Sequence, residues 1–307
     1  MLIDPFRLGE ALSPRPIKLW MVGFKERYLK AVHGTIERYR LVEPGDCIFV
    51  ALSGGKDSGS ALYTLTRYVE ERSIDCRLQP FHINLGFPFS QRVEEVVEEQ
   101  AEFLGLSLKV FHASDYGVDM ERIAKLPRPI CSSCGLVKRY LMNRLPRELG
   151  ATKLATGHHA DDFIVFFFKN LLGGNLEWSS KFVPKLPTRG KQLGRIRPLF
   201  FVGGEENRRF AEEVGLPHLK EDLCPYSTYG CGVDRSKRMW LEVIDYISRR
   251  QRGFRRRIMT SIMRLAETLS TQRPETQPLR ECRICGEPTS GEICAFCRLL
   301  EAQRRVD

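Results

Sequence analysis

Short, continuously apolar runs bounded by Gly, Pro and polar residues alternate along this chain with longer stretches in which apolar residues recur every three or four positions. Cys47–Leu52, Cys76–Leu85, Leu106–Phe111 and Lys153–Thr156 read as strands, and Ser58–Glu71, residues 91–104 and Gly135–Arg147 as helices between them. Arg197-Pro198-Leu199-Phe200-Phe201 reads as a fifth, edge-like strand with its proline at the start. Upstream, Trp20, Phe24, Tyr28, Val32 and Ile36 fall at helical spacing and predict an amphipathic helix from Lys18 to Tyr39, after an extended arm over residues 1–16. Strands alternating with helices predict an α/β fold, a doubly wound parallel five-stranded sheet with ligands at the carboxyl ends of its strands.

The pattern then changes. Residues 235–269 are helical and strongly basic, a Thr/Gln/Pro-rich linker runs from Thr268 to Pro278, and two cysteine pairs follow. Four units result: an arm and helix (1–40), a sheet domain (41–234), a basic helical region (235–270) and a small cysteine module (279–300). A chain of 307 residues accommodates one large α/β domain with such additions. The formal charge is +10, and from Arg235 to Asp307 there are 16 Lys plus Arg against 9 Asp plus Glu. Basicity gathered in one region suits a polyanion, and RNA is the natural candidate. Arg249, Arg250, Arg252, Arg255, Arg256 and Arg257 are the expected backbone contacts, because guanidinium forks pair with phosphate. The basic segment from Ser179 to Arg197 is expected to be a mobile, RNA-contacting loop. The longest apolar run, Phe163–Phe168, stops at Lys169, too short to span a bilayer, and no leader pattern opens the chain. A cytoplasmic protein without membrane contact is expected.

Candidate chemistry concentrates after the strands. Ser53-Gly54-Gly55-Lys56-Asp57-Ser58 follows the first strand and opens a helix. Glycines admit close approach of an anion, the helix N-terminus presents N–H groups, and Lys56 adds a charge, so the loop suits phosphate. It is not a Walker A loop, and Asp57 beside a triphosphate calls for Mg²⁺ between them. Gly157-His158-His159-Ala160-Asp161-Asp162 follows the fourth strand, where a carboxylate can hold Mg²⁺ or orient a reacting base; an N-cap or a zinc site are the alternatives. Cys131 and Cys134, at a helix start, can share a metal, and the helix N-terminus favours their thiolates. Lys138 lies one turn beyond Cys134 and is expected in the same pocket. Of ten cysteines, eight fall into clusters with metal-ligand spacing, which argues against a disulfide scaffold. Cys282-x-x-Cys285 and Cys294-x-x-Cys297, eight residues apart, are a strong signal for tetrahedral structural Zn²⁺, with rubredoxin-like iron the minor alternative.

SGGKDS, the Cys131–Tyr140 stretch CSSCGLVKRY, the Ala155–Asp162 stretch ATGHHADD and Cys224-Pro225-Tyr226 together resemble the PP-loop ATP pyrophosphatases, specifically the tRNA 2-thiolation enzymes of the TtuA and TtcA group, and more closely the former. The resemblance spans roughly residues 30–300 and implies an enzyme that adenylates the C2 oxygen of a tRNA pyrimidine, with uridine favoured, releases pyrophosphate and then AMP, and installs sulfur. It places the nucleotide on Ala51, Ser53 to Ser58, Gly157 and Asp162, with adenine near His82, Ile83 and Asn84; His82 itself reads as a packing residue. It assigns Cys131, Cys134 and Cys224 to a [4Fe-4S] cluster with one open iron, and Lys138 and Asp162 to the reaction centre. Implied cofactors are ATP, Mg²⁺, the cluster and Zn²⁺; implied partners are tRNA and, as sulfur donor, a ubiquitin-like carrier protein or free sulfide, with a homodimer compatible. The family's N-terminal zinc finger has no counterpart, since no cysteine precedes Cys47.

Cys231, seven residues after Cys224, leaves a Cys₄ zinc site with Cys131 and Cys134 open, and persulfide chemistry on Cys131 or Cys134 is a third reading. A PP-loop ligase without sulfur chemistry and a non-catalytic RNA-binding protein are the rival functions.

Overall fold

The apolar run around Phe49 forms the central strand of a six-stranded sheet, fully buried at Ile48, Phe49 and Val50. The computed structural model describes residues 23–221, 223, 224, 226, 233–271 and 280–306. The expected arm over residues 1–16, the first turn of the N-terminal helix, Cys231 and most of the linker before residue 280 lie outside the described residues. The strands are β1 (Asp46–Leu52), β2 (Cys76–Asn84), β3 (Lys109–His112), β4 (Lys153–Ala155), β5 (Lys185–Leu186), β6 (Gly194–Ile196), β7 (Arg280–Glu281) and β8 (Pro288–Thr289). The helices are α1 (Phe24–Arg38), α2 (Lys56–Glu71), α3 (Ser90–Glu102), α4 (Met120–Ala124), α5 (Ile130–Glu148), α6 (Ala160–Leu172), α7 (Gly204–Glu213), α8 (Val233–Arg250), α9 (Phe254–Thr271) and α10 (Ala295–Arg304).

The large sheet has the order β3-β2-β1-β4-β6-β5, parallel except for β5 at the edge. From β1 the chain winds outward to β3 and then returns to β4 on the other side of β1. This reversal places a topological switch between β1 and β4, where an open α/β sheet receives its ligand.

Two expectations about the second half are corrected. The fifth parallel strand is Gly194–Ile196, not Arg197–Phe201, which forms two turns with Phe200 N–H donating to Arg197 O and Val202 N–H to Leu199 O. Leu199 and Phe200 are fully buried, so their apolar character reported burial rather than extension. The segment from Ser179 to Arg197 is not a free loop: it folds into a hairpin of β5 and β6 in which Lys185, Lys191 and Arg197 serve acceptors within the protein, while Arg189 at the tip is exposed. Lys185 Nζ reaches Glu43 and Arg40 O, and Arg197 donates to the Lys181 and Val183 carbonyls at 2.7 and 2.5 Å.

The C-terminal cysteine module docks on α5. Tyr140 stacks on Phe296 with centroids 3.7 Å apart, Arg147 pairs with Glu287, and Gln303 accepts from Asp119 N–H at 3.1 Å. Cys282, Cys294, Phe296 and Leu299 share one core cluster with Phe49 and Phe81 of the sheet. Phe296→Ala removes the stacked ring from a site 4% exposed, so a loss of about 3 kcal/mol is expected in denaturant unfolding.

At the start of the central strands Lys153 bridges Glu43 and Asp46 at 2.7 and 2.6 Å, and Lys185 adds a second bond to Glu43. Hydrogen bonds from Lys153 and Lys185 hold the Glu43 carboxyl down at about 2. Its contribution is present above the unfolded carboxyl pKa of about 4.3 and is lost as pH falls toward 2. Because Glu43 is partly exposed, about 1 kcal/mol is the ceiling. The Tm gap between wild type and Glu43→Gln should hold from pH 8 to 5 and close below pH 4; a pH-independent gap would assign Glu43 to packing alone.

Candidate active site and metal centre

The Ser53–Ser58 loop lies at the β1 end of the switch, where α2 begins at Lys56 with Gly55 as N-cap. Gly54 takes φ +76°, which disfavours any side chain. Ser58 Oγ accepts from Ser53 N–H at 3.1 Å and donates to Gly55 O at 3.0 Å, closing the loop. Lys56 Nζ rests on Asp57 Oδ2 at 2.9 Å. Asp57 Oδ1 accepts from Asn207 Nδ2 at 2.8 Å, and the Asn207 carbonyl accepts from Tyr28 OH at 2.7 Å. Asn207 is fully buried and 150 residues away in sequence, so no local signal announces it.

From β4 the Gly157–Asp162 turn closes over this loop. A Cβ on Gly157 would lie 2.6 Å from Ser58 N and 2.7 Å from Asp57 C, so only glycine lets the two backbones meet. His159 is buried among three carboxylates: its Nε2 lies 3.7 Å from Asp57 and 3.5 Å from Asp162, and its Nδ1 4.0 Å from Asp161. Asp162 caps the turn, with its Oδ2 3.4 Å from His159 N, and its Oδ1 accepts from Lys237 Nζ at 2.9 Å. The capping role is thus real and coexists with exposure of Asp162 to the cavity. Burial raises the Asp162 pKa, but His159 and Lys237 outweigh it and hold the carboxyl at about 2. Lys237 stands outside every motif read from the sequence.

These two turns line one cavity of about 820 Å³, which reaches Ala51, His82 and Ile83 on one side and Lys138, Cys134 and Cys224 on the other. His82 bonds Leu52 O through Nδ1 at 2.9 Å, and burial lowers its pKa, consistent with a packing role. Asn84 is turned away to Glu94 and the Gly86 N–H. Cys131 and Cys134 lie inside α5, which starts at Ile130 rather than after the cysteines. Against the expected thiolate, burial pushes the Cys134 thiol up, with Cys224 adding to the rise and Lys138 opposing it. Cys134 and Cys224 line the same cavity, as a group held between them would require.

Cys282, Cys285, Cys294 and Cys297 bring their sulfurs within 4.8 Å of one another, with Cys282–Cys297 at 3.9 Å and Cys285–Cys294 at 3.6 Å. Sulfurs at tetrahedral corners around Zn²⁺ stand about 3.8 Å apart given Zn–S bonds near 2.3 Å. Burial opposes ionisation of Cys282, yet the N–H groups of Cys294, Cys285 and Ile284 bring its pKa down to about 6. The set fits one tetrahedral ion. Among the described residues it is the only group of three or more candidate ligands so close, so Cys131, Cys134 and Cys224 are spaced more widely. A multi-iron cluster, whose thiolates bind separate metal atoms, fits that wider spacing better than a single ion.

The basic C-terminal region is two helices broken at Gly253, where φ is +74°. Arg249, Arg250, Arg252, Arg256 and Arg257 are exposed. Arg255 departs from the expectation: its side chain is only 19% exposed and pairs with Asp161 at 2.6 Å and with Asp245. Among the described residues, no helix is long and apolar enough to cross a membrane.

A PP-loop domain family model matches residues 25–222. Over 288 residues the chain is 32% identical to a tRNA-5-methyluridine(54) 2-sulfurtransferase of Pyrococcus horikoshii, covering 92% of this chain and 88% of the relative. It is 34% identical to a tRNA-cytidine(32) 2-sulfurtransferase of Neisseria gonorrhoeae, over 65% of this chain and 61% of that one. Among solved structures it resembles the U34-tRNA thiolase NcsA from Methanococcus maripaludis with its [4Fe-4S] cluster, with a TM-score of 0.74, 26% identity, and coverage of 91% and 87%. Loop, cysteine wall and whole-chain similarity agree: the chain belongs to the PP-loop family of ATP-binding tRNA 2-sulfurtransferases.

Proposed function

We propose that this enzyme converts a tRNA uridine to its 2-thio form, with 5-methyluridine at position 54 the preferred target. One observation carries the reaction: the phosphate loop, Lys138, Asp162, Cys134 and Cys224 open on a single cavity. Support for the target comes from similarity: the position-54 relative is 32% identical and matched over 88% of its length, the cytidine-32 relative is matched over 61%, and the U34 thiolase is 26% identical.

The Ser53–Ser58 loop and Lys56 hold the β- and γ-phosphates of ATP, while Ala51, His82 and Ile83 flank adenine. Asp57 and Asp162 are the carboxylates that would hold Mg²⁺. The uridine C2 oxygen attacks the α-phosphorus as the bond to the β-phosphate oxygen breaks, and Lys56 with the loop N–H groups stabilises the departing pyrophosphate. Lys138 neutralises charge at the activated oxygen, which leaves with AMP when sulfur attacks C2. Cys131, Cys134 and Cys224 would hold the [4Fe-4S] cluster, which would supply a binding place for sulfide. The four C-terminal cysteines hold structural Zn²⁺, and a cytoplasmic site of action accords with a tRNA substrate. A ubiquitin-like carrier or free sulfide serves as donor, and a homodimer is compatible with this reading. The units 1–40, 41–234, 235–270 and 279–300 serve as helix and arm, catalytic domain, tRNA-binding region and zinc finger.

Arg256, Arg257 and Arg264 lie with Thr260 and Ser261 on one open face of α9. A tRNA backbone fits it by charge. Arg256→Gln should weaken tRNA binding and reduce the slope of log K against log salt by about 0.7 to 0.9; an unchanged slope would remove Arg256 from the interface.

Nucleoside mass spectrometry of tRNA from a strain lacking the gene tests the reaction. Loss of 2-thio-5-methyluridine is expected. Loss of 2-thiocytidine or of a wobble 2-thiouridine would move the target, and loss of no 2-thio nucleoside would overturn the reading. Replacing Cys131, Cys134 and Cys224 together with Ser should abolish thiolation, whereas retained thiolation would favour a mechanism without clustered thiols.

A further inference from the structure

Arg255 and the exposed Arg256 and Arg257 are neighbours in sequence but face different ways. Arg256 and Arg257 open to solvent, while Arg255 passes inward against Gly203, where an added Cβ would lie 2.8 Å from its Nε. Its Nε donates to Asp161 Oδ1 at 2.6 Å. Asp161 is 3% exposed, and its second oxygen accepts from Gly204 N–H at 2.8 Å. Both oxygens are therefore engaged, one by α9 and one by the start of α7. Asp161 does not line the nucleotide cavity, whereas its neighbour Asp162 does. Asp161 thus works as an anchor for the turn rather than as a contact to the nucleotide.

A second cation repeats the arrangement. Lys237 of α8 holds Asp162 Oδ1 at 2.9 Å. Arg255 also pairs with Asp245 on α8, which ties the two C-terminal helices to each other. The consecutive carboxylates of the reaction-centre turn are thus held from outside the sheet domain, by the helical pair that carries the RNA-facing arginines. The turn has little freedom, since Gly157 must meet the phosphate loop backbone and His159 must fit between Asp57 and Asp162. A shift of the α6 start would move Asp162 and His159 together, and small misplacements of reacting groups are costly to rate.

We infer that Arg255 is a positioning residue, acting through Asp161 to fix the His159–Asp162 turn, and that with Lys237 it couples the RNA-facing helices to the reaction centre. The inference rests on the proposed tRNA thiolation. It separates two functions within one arginine run: Arg256 and Arg257 govern affinity for tRNA, and Arg255 governs turnover.

The test uses the full-length holoenzyme and measures tRNA-dependent AMP release. Wild-type enzyme is assayed first, and its failure to release AMP with tRNA would count against the proposed function, not against Arg255. With wild-type turnover established, Arg255→Gln should lower kcat at least tenfold and leave KM for tRNA within twofold, while Arg256→Gln raises that KM. Arg255→Lys, which keeps the charge and one donor, should fall between Gln and wild type. Asp161→Asn should reproduce the kcat loss, and the double variant with Arg255→Gln should be no slower than either single one, because the two act as one unit. Unchanged kcat in Arg255→Gln, or a raised KM for tRNA with unchanged kcat, would overturn the assignment. Should Arg255→Gln fail to fold, Arg255→Lys decides: a severalfold kcat loss at constant KM supports the inference, and wild-type kcat overturns it.

Discussion

The contact between Gly157 and the backbone at Asp57–Ser58 is the constraint on which the active site depends. It exists because β1 and β4 are neighbours in register, Phe49 beside Leu154 and Val50 beside Ala155, so both strands deliver their following turns to the same point. Ordinary sheet topology would bring the turns near one another. The missing side chain at residue 157 lets them touch, and from that contact follow the places of His159, Asp162 and the start of α6.

Charge shapes the same place. Three carboxylates, Asp57, Asp161 and Asp162, surround one imidazole, and bringing a triphosphate beside them would be unfavourable without cations. The structure distributes those cations by task. Lys56 already sits on Asp57 and can transfer to phosphate; Lys138 reaches from the cysteine helix; Lys237 and Arg255 remain with Asp162 and Asp161. Asn207, being neutral, orients Asp57 without adding charge.

Much of this was legible in the sequence because the informative features are local. A strand followed by SGGKDS, a strand followed by GHHADD, and cysteines at fixed spacing each encode geometry within a few residues. The failures share a different cause. Leu199 and Phe200 are apolar because they are buried, and burial in a turn leaves the same trace as burial in a strand. The cations of residues 179–197 look solvated in sequence, yet Arg197 and Lys185 find carbonyl and carboxylate acceptors far along the chain. Arg255 was hidden by its neighbours: a run of arginines says nothing of which face each occupies. Asn207 and Lys237 carry no motif, because their partners lie 150 and 75 residues away.

Helix α5 shows how one element can serve two cysteine sites. Cys134, Lys138 and Met142 face the cavity, and Val137, Leu141 and Leu145 enter the core. Tyr140, Asn143 and Arg147, at the same helical spacing on a third face, hold the C-terminal module through Phe296 and Glu287, and the last two also donate to the Lys191 carbonyl of the β5–β6 hairpin. The four-cysteine module therefore lies outside the cavity yet packs on the helix that presents Cys134 and Lys138 to it. A short module closed by metal is suited to this task, because coordination fixes its shape where so few residues could not. The opposite wall of the cavity depends on the C-terminal helical pair through Asp161 and Asp162, so both flanks of the nucleotide site are braced by parts of the chain that lie beyond the sheet domain.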